Sequence, residues 1–563
     1  MIGERESYIW RRHKAPSAPK IARIVRAVPL KGVGRVPFPV GNCVVVPTFI
    51  RSAKAYAYRL FNEFGEQKWL QVLPAGGYAS PVYVPERHGL WVPFAYSRVA
   101  ELNVQDGSVR WTVDFGVRVR SAPLFDKDSG AYVSAIGNAF VRYDAGRVLQ
   151  QRQVPEHFFF GVPSQLEGML LTLTARRADG RLRNAVTAVD LKTLTIVWET
   201  DIGENCVVSS DTCGLGIDPD GRYVFAHAPP GRVICLDAEN GKELWSVELG
   251  LTNWRVAPEV TRDCVYVSSL EGDLVALSID GQLKWRIRLD PLGIWSPPLA
   301  NVDECVVHGG TWLWGVSAAD GSVRWAVPIG FDAYTRPVRY NGHVIVCGGD
   351  PPDDGYLFWI DTGASVLTRR QRAEYAFGQE KDYLIVECEF DEEIQEVRLD
   401  LAPFGRSSDE CCRREGSVFR WEGTVDIQKR WAESVIVGKA YKRAGSVDWF
   451  TIWVDTGSAR SSSAAAEQVI NDFEVHPQPD VTSSGAEVVA ALLSRWGKLV
   501  DPNDVVSAAR WMRGKGVDPH HLWRGGAARI FMASQLPLLE MVNEQLTPKA
   551  IEDLISRWER QIG

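Results

Sequence analysis

One short pattern recurs along this chain and constrains its fold more than any other feature. In VICLDAENGKELW, an apolar run leads to Asp, then Gly, and then Trp four residues after the Gly. Units of this kind are spaced about 40 to 55 residues apart, a period that indicates a repeat architecture. Their tryptophans are Trp69, Trp111, Trp198, Trp245, Trp285 and Trp325. Four degenerate units keep the same frame near Gln150, Leu367, Asp400 and Asp455, which makes ten units in all.

Each unit also begins in a similar way. A proline in segments such as ASPVYV, SAPLF, VAPEV, SPPLA and TRPVR opens a short apolar stretch, and a second stretch such as CVYVSSL follows. β-Branched and aromatic runs separated by Gly, Asp and Asn predict short strands joined by turns. About four strands in about 42 residues are what one blade of a β-propeller requires.

The pattern assigns a structural role to each of its residues. The apolar run is expected to be a strand buried between two neighbouring sheets, and the glycine allows the positive φ of the tight turn that follows it. The tryptophan is expected to lie against the adjacent blade and to fill the wedge between sheets, because an aromatic ring of this size buries about 150 to 250 Å². These tryptophans are therefore interpreted as architectural.

The repeat resembles that of a known superfamily. The L-x-x-L-D-x-x-x-G-x-x-x-W ending, after an S-x-P or A-P strand start, is similar to the repeat of quinoprotein (PQQ) alcohol dehydrogenase-like propellers, which include the outer-membrane-assembly lipoprotein BamB. The resemblance covers residues 34–461 and implies a fold but not a function, because its motif consists of packing residues shared by enzymes and scaffolds. The family's usual ring has eight blades. We therefore expect eight blades plus extra sheet from the divergent stretch 369–460, with ten or seven blades as alternatives.

The sequence predicts four regions, which together give a mainly β protein followed by a small α-helical bundle. They are a basic N-terminal arm (1–33), the PQQ-like propeller (34–461), a linker with a short helix (462–483) and a C-terminal helical domain (484–563). In the last region, apolar residues recur at helical spacing, and Asp501 and Thr547 are plausible N-caps that precede prolines. We recognise no family for this helical module.

Composition and charge narrow the functional classes. No apolar stretch approaches the roughly 20 residues of a membrane span. The first twenty residues do not resemble a secretory signal, so a cytoplasmic location with reduced cysteines is expected. The net charge is -7 although residues 1–31 are basic, which argues against nucleic acid as the ligand. A small-molecule ligand is also disfavoured.

The resemblance raises the question of an enzyme. Quinoproteins of this family bind PQQ and calcium, and many place two adjacent cysteines over the cofactor. The adjacent Cys411 and Cys412 lie late in the chain, in a charged segment of the divergent region, and no motif supplies calcium ligands of the family kind. His520 and His521 are consecutive and would diverge on a helix, which disfavours a shared metal. We therefore expect no cofactor, and keep PQQ with calcium as the alternative.

One regularity does not follow from packing. The residue three positions before the strand-opening proline is aromatic or arginine in six units. These residues are Tyr78, Arg120, Phe160, Arg255, Trp295 and Tyr334. In a propeller this position enters the innermost strand, so the six side chains would surround the mouth of the central channel on one face. Aromatic and arginine side chains are enriched at binding hot spots, although the ring could also simply cap the channel.

These observations favour a non-enzymatic cytoplasmic scaffold or sensor. The propeller would bind a protein partner at the channel mouth, and the helical module would serve assembly, for instance in a bacterial defence or toxin-immunity system. A PQQ-dependent oxidoreductase is the first alternative. A propeller hydrolase or lyase with a dispersed site is the second, because propeller active sites need not leave contiguous motifs.

Overall fold

The computed structural model describes a set of segments that form one compact unit. The segments are 9–11, 22–50, 53–74, 80–117, 119–178, 181–204, 214–228, 231–251, 256–269, 272–289, 294, 296–330, 335–348, 354–364, 367–377, 381–390, 393–426, 433–443 and 445–456. The predicted linker 462–483 and helical domain 484–563 lie outside the described residues, as do His520 and His521.

In the first half of the chain, the strands from β4 onward follow one another as antiparallel meanders, and the structure describes nineteen strands there. They are β1 (Ile9–Arg11), β2 (Arg23–Lys31), β3 (Val33–Gly34), β4 (Phe38–Val40), β5 (Cys43–Ile50), β6 (Ala55–Asn62), β7 (Gln67–Pro74), β8 (Val82–Val84), β9 (Gly89–Phe94), β10 (Arg98–Asn103), β11 (Val109–Asp114), β12 (Leu124–Asp126), β13 (Ala131–Ile136), β14 (Ala139–Asp144), β15 (Arg147–Gln153), β16 (His157–Leu166), β17 (Met169–Ala178), β18 (Arg181–Asp190) and β19 (Ile196–Glu204). A short 3₁₀ turn, Pro85–Arg87, separates β8 from β9.

The second half continues the pattern and then departs from it. Its strands are β20 (Gly216–Ile217), β21 (Tyr223–Ala228), β22 (Arg232–Asp237), β23 (Glu243–Glu248), β24 (Glu259–Val260), β25 (Cys264–Ser268), β26 (Asp273–Ser278), β27 (Leu283–Arg288), β28 (Leu299–Ala300), β29 (Glu304–Gly309), β30 (Trp312–Ser317), β31 (Val323–Pro328), β32 (Val338–Tyr340), β33 (His343–Gly348), β34 (Asp354–Asp361), β35 (Thr368–Phe377), β36 (Asp382–Phe390), β37 (Ile394–Asp400), β38 (Glu410–Cys411), β39 (Arg413–Glu415), β40 (Val418–Val425), β41 (Glu433–Lys442) and β42 (Val447–Asp455). A second 3₁₀ turn spans Ala402–Phe404.

Within the described residues these strands form ten sheets. We number as blades 1 to 8 the sheets β3–β7, β8–β11, β12–β15, β16–β19, β20–β23, β24–β27, β28–β31, and β32–β34 with β2. The remaining two sheets, β1-β35-β36-β40-β39 and β38-β37-β41-β42, are called the sandwich.

The central strands explain why the sequence reads as continuous apolar runs. In β9 every residue is buried. Leu90 and Val92 contribute to the cluster shared with blade 1, whereas Trp91 between them contributes to the cluster shared with blade 3. Because side chains alternate across a strand, a sheet that lies between two others must be apolar on both faces.

The apolar clusters show that the eight blades close into a ring. Each consecutive pair of blades shares one buried cluster, from blades 1 and 2 through to blades 7 and 8. A further cluster joins blade 8 to blade 1, with Leu30 and Ile345 packed against Val44 and Phe61. This arrangement is consistent with an eight-bladed β-propeller.

An N-terminal strand closes the ring. Strand β2 pairs with β34 in antiparallel register, from Arg23 with Asp361 to Lys31 with Asp354. Blade 8 therefore takes its outer strand from the other end of the propeller sequence. The propeller begins at Arg23 and not at residue 34, because part of the predicted arm is a strand of the ring.

The divergent stretch forms most of the sandwich, which is the extra sheet expected from the sequence. Its two sheets enclose their own core, which runs from Leu367 to Val454. The sandwich packs against the outer strands of blades 7 and 8. Val437 joins the cluster of those two blades, the rings of Trp453 and Trp312 lie 6.2 Å apart, and Arg23 pairs with Asp448 at 2.6 Å.

Recurring tryptophans connect neighbouring blades as the sequence predicts. The Trp285 indole donates a hydrogen bond to the Ala318 carbonyl of blade 7 (3.0 Å), and a Cβ added to Gly321 would lie 2.8 Å from the same ring. The same two contacts, to a turn carbonyl and a turn glycine of the next blade, recur at three other interfaces: Trp69 with Val104 and Gly107, Trp198 with Ala238 and Gly241, and Trp245 with Ile279 and Gly281. The motif glycine therefore serves two purposes, since it adopts a positive φ and also leaves room for an indole.

Candidate functional site in the central channel

The first strand of each blade lines the central channel. First strands of consecutive blades approach one another, as β20, β24 and β28 do in blades 5 to 7. Each first strand lies at the end of its sheet, and among the described residues only β16 has a bridge on its other side, from Val162 to Gly214 of blade 5. The other edge therefore presents backbone N–H and C=O groups to the channel, a row of hydrogen-bonding groups that an edge strand always exposes.

Glu259 begins the first strand of blade 6, and it differs in type from the residues at this position in the other blades. It pairs across the sheet with Tyr266, the third residue of the central strand of blade 6. The residues at the same register position in the other seven blades are Phe38, Val82, Leu124, Ser164, Gly216, Leu299 and Val338. Blade 6 alone among these eight positions carries a charge.

Arg336 is a second departure, two blades further on. It immediately precedes Pro337, the residue that opens the first strand of blade 8. In the other seven blades the residue at this position is uncharged: Val36, Ser80, Ala122, Val162, Gly214, Ala257 and Pro297.

The two departures meet in the channel. Arg336 Nη2 donates a hydrogen bond to Glu259 Oε2 at 2.5 Å, and the backbone N–H of Ala300 donates to Glu259 Oε1 at 3.3 Å. Glu259, Ala300 and Arg336 belong to blades 6, 7 and 8 respectively. A side chain from blade 6 that reaches blade 8 past the inner strand of blade 7 must lie along the channel wall.

Burial and ion pairing have opposite effects on the pKa of the Glu259 carboxyl group. The side chains of Glu259 and Arg336 are 20% and 35% exposed. Loss of water raises the pKa of Glu259, and the charge of Arg336 and hydrogen bonds from Arg336 and Ala300 oppose that rise. Burial dominates, so the pair is a partly desolvated ion pair beside an open channel.

A buried histidine anchors the segment that carries Arg336. His308 Nδ1 lies 3.3 Å from Thr335 Oγ1, and its Nε2 lies 3.2 Å from the Gly330 carbonyl. Thr335 in turn donates to the Cys347 carbonyl at 2.8 Å. Burial lowers the pKa of His308 to about 4, so the ring is neutral at physiological pH and acts as a fixed hydrogen-bonding group.

A second histidine occupies the same strand position in blade 5. His227 is also buried, and burial lowers its pKa to about 4. Its Nε2 has no hydrogen-bond partner within the part of the chain that the structure describes. The segment 252–255, which leads into blade 6, lies outside that part.

The predicted ring is only partly covered by the structure. Arg120 is half-buried, four residues before the start of β12, and its neighbour Val119 donates a backbone hydrogen bond to the Tyr96 carbonyl at 2.8 Å. The backbone of Phe160 pairs with Leu173 in blade 4. The other four residues lie outside the described residues: Tyr78, Arg255, Trp295 and Tyr334. The ring therefore stays a prediction.

The adjacent cysteines do not fit a cofactor site in the channel. Cys411 belongs to strand β38 of the sandwich, and Cys412 packs in the sandwich core. Both are free thiols. The resemblance needs such a pair over a cofactor within the propeller, and neither residue lies in any of the eight blades. The described residues also contain no group of three His, Cys, Asp or Glu side chains placed to hold a metal ion.

Comparison with known proteins agrees with the repeat. A family model described as outer membrane protein assembly factor BamB matches residues 182–351. The repeat of the propeller thus resembles that of the BamB/PQQ-like propeller superfamily. BamB of Yersinia pestis is 23% identical over 46% of this chain, and BamB of Shewanella oneidensis is 27% identical over 22%. The chain spans 66% and 29% of the lengths of those two relatives.

Solved structures that match this chain include a BamB and a methanol dehydrogenase. BamB from Moraxella catarrhalis is 16% identical with a TM-score of 0.47, over 60% of this chain and 100% of that one. A europium-containing methanol dehydrogenase is 12% identical with a TM-score of 0.49, over 60% of this chain and 93% of that one. In the described part of this chain, no helix has the length and apolar character needed to cross a membrane.

Sequence reasoning missed the charged pair in the channel, although a signal was present. The predicted ring is defined by the position three residues before the strand-opening proline, and neither Glu259 nor Arg336 stands at that position. The positions directly before and after the proline are uncharged in most units, so PEV in blade 6 and TRPV in blade 8 stand out once they are compared. Only the three-dimensional structure shows that the two residues touch.

Proposed function

We propose that this protein is a non-enzymatic scaffold or sensor whose propeller binds a protein partner at the mouth of the central channel. The Glu259–Arg336 pair carries the proposal. It places charged groups in a channel wall whose equivalent positions are otherwise uncharged, and the closed ring does not require them for packing. The unpaired strand edges around the channel add backbone groups that a peptide segment can pair with.

The relatives support the same class of function. The BamB proteins that match this chain are described as assembly factors, and BamB-like propellers often mediate contacts between proteins. The proposed binding residues are those of the predicted ring, together with Glu259 and Arg336. The ring residues are Tyr78, Arg120, Phe160, Arg255, Trp295 and Tyr334.

Partner capture tests this proposal. The full chain, Arg255→Ala and Trp295→Ala would be used as baits from the native host, with the bound proteins identified by mass spectrometry. Arg262→Ala and Val302→Ala are matched controls, because both residues are exposed in turns at the opposite ends of the first strands of blades 6 and 7. The ring variants should lose a partner that the control variants keep. Equal capture by all five baits would contradict binding at the channel mouth.

The proposal extends to the rest of the chain. A cytoplasmic location and an assembly role for residues 484–563 fit a multi-protein system, such as bacterial defence or toxin immunity. Deleting residues 484–563 should leave capture at the channel mouth unchanged and should reduce the number of chains in the native assembly, calculated from the mass measured by light scattering. An unchanged number of chains would contradict the assembly role.

The proposed activity needs no cofactor, and the PQQ alternative is directly testable. Purified protein would be incubated with PQQ and calcium and assayed for dye-linked alcohol oxidation. A scaffold should show neither turnover nor bound-cofactor absorbance. Turnover that depends on PQQ would establish the oxidoreductase instead.

A further inference from the structure

We propose that Arg336 anchors a carboxylate group of an acidic peptide segment that enters the channel mouth. This inference rests on the proposed function and specifies the chemistry of the partner. An Asp or Glu side chain and a free C-terminus both supply such a carboxylate, and the experiment below separates these two sources.

Among the residues that the structure describes, Arg336 uses only part of the hydrogen-bonding capacity of its guanidinium. It has five N–H donors in a planar fork, and its contact with Glu259 uses Nη2 alone. About a third of the side chain is exposed, at 35%. A guanidinium can bind carboxylates along more than one edge, so the remaining donors are available to a second carboxylate from the channel.

The structural role of the pair is weak by comparison. The six other blades close the same ring with uncharged residues at both positions. A partly buried ion pair contributes little net stability, because removing two charges from water offsets most of their attraction. The pair therefore has a better explanation in recognition than in folding.

The backbone around the pair favours a peptide over a small anion. Glu259 already occupies the inward-facing N–H of Ala300 on the edge strand of blade 7. The neighbouring first strands present the same kind of unpaired edge. An extended peptide can satisfy such an edge while one of its carboxylates reaches Arg336.

Glu259 sets the strength of this anchor. Its negative charge neutralises Arg336 in the free protein and repels an incoming carboxylate. Replacing Glu259 by glutamine keeps the shape of the side chain and removes that repulsion. Binding of an acidic peptide should then tighten roughly tenfold, whereas removing the arginine should weaken it by a similar factor or more.

The test uses fluorescein-labelled hexapeptide pools and the full chain. In each pool one position is fixed as Asp or Glu, or as Asn or Gln in the matched pool. Every pool is made with a free and with an amidated C-terminus. Binding is measured by fluorescence anisotropy. The wild-type chain should prefer an acidic pool over its amide counterpart, or a free over an amidated C-terminus, and the pool that wins identifies the source of the carboxylate.

Variants decide whether Arg336 is responsible. Arg336→Gln should abolish the preference, and Glu259→Gln should strengthen it. The double variant Glu259→Gln with Arg336→Gln carries an uncharged amide pair, so it keeps the fold, which thermal unfolding checks, and it should still show no preference. Arg262→Ala, an exposed arginine of blade 6, should behave as wild type.

The inference is overturned if the wild type shows no preference for carboxylates, or if the double variant retains it. It is also overturned if no pool binds at all. These failures are distinguishable from failure of the proposed function. Partner capture that depends on Arg255 and Trp295, with peptide binding indifferent to charge, would leave the scaffold standing and remove only the carboxylate anchor.

Discussion

The interface between blades 3 and 4 differs from the four that use a tryptophan and a turn glycine. Blade 3 has Gln150 where the tryptophan would stand, and the turn of blade 4 has Leu194 where the glycine would stand. Leu194 adopts a positive φ of 58° and is fully buried in the cluster shared by the two blades. The side chain missing from one blade is thus supplied by the other. The space between two neighbouring blades must be filled, and a side chain from either blade can fill it.

The closure between blades 8 and 1 satisfies the same requirement with an arginine. Arg26 on β2 donates a hydrogen bond to the Glu63 carbonyl in the turn of blade 1. A Cβ added to Gly65 of that turn would lie 2.8 Å from the Arg26 side chain and 2.7 Å from Val28. The aliphatic stem packs on the glycine and the guanidinium replaces the indole N–H.

Blade 8 explains a further exception, at its interface with blade 7. Its outer strand comes from the N-terminal segment, so no hairpin turn joins its last two strands and no turn carbonyl is available to Trp325. The Trp325 indole instead donates to Glu304 at 2.6 Å, and Glu304 pairs with Arg339 of blade 8 at 2.9 Å.

The largest expected effect comes from adding a methyl group beneath an indole. Gly241→Ala should lower the free energy of unfolding by about 2 to 5 kcal/mol, because its Cβ would lie 2.3 Å from the Trp198 ring at a φ of +73°. Urea denaturation of the full chain measures this. Gly342→Ala is the control, since Gly342 has a φ of +79° with nothing within 4 Å, and it should cost only about 1 to 2 kcal/mol. Equal losses would contradict the wedge.

A pair exchange at the interface of blades 3 and 4 tests whether the wedge can be filled from either side. Leu194→Gly should cost about 2 to 4 kcal/mol by opening a cavity, and Gln150→Trp about 1 to 3 kcal/mol by overpacking against Leu194. The double variant should lose clearly less stability than the sum of the two, as measured by a double-mutant cycle. Additive losses would show that the two positions do not share one space.

The indole hydrogen bond should be measurable by comparing two tryptophans. Trp285 donates to Ala318, whereas the buried Nε1 of Trp111 has no partner among the described residues. Both should lose stability when replaced by phenylalanine, with Trp285→Phe costing about 1 kcal/mol more than Trp111→Phe. Thermal unfolding of the two variants provides the comparison, and the opposite order would refute the role of the hydrogen bond.

The smallest expected effect is a pH dependence beside the same leucine-filled interface. His157 of blade 4 lies 2.9 Å from Glu199, and this hydrogen bond raises the pKa of His157 while Arg176 opposes the rise. A raised pKa stabilises the fold below the ordinary value of about 6.5 and is lost as pH increases through the raised value. Stability should therefore fall by up to about 1 kcal/mol from pH 6 to pH 8.5. The decline attributable to this group should be absent in His157→Gln.

Much of the fold could be predicted because packing residues recur at a fixed spacing. The small size of the glycine and the large size of the tryptophan are enough to assign them to a tight turn and to the space between two blades. Their roles could therefore be predicted from a single unit. The closure of the ring by β2 could not be predicted, because β2 lacks the motif and its pairing with β34 depends on contacts distant in sequence. The sandwich was predicted only as extra sheet, since its strands carry no repeat.

The candidate site was less predictable than the fold. A single charged residue such as Glu259 has no pattern of its own, and its partner is two blades away. The aromatic and arginine ring could be proposed from position alone, but position does not specify what a side chain contacts. Recognition residues depart from the repeat, and departures become informative only when the structure brings two of them together.

The pairing of β2 with β34 also constrains the order in which the chain folds during synthesis. Strand β2 leaves the ribosome more than 300 residues before its partner β34. At about 5 to 20 residues per second, it waits unpaired for roughly 15 to 65 seconds. During that interval the growing ring of blades has two unpaired ends. The sandwich strands that follow blade 8 in the sequence can pack against β2 in its final position only once the ring is closed.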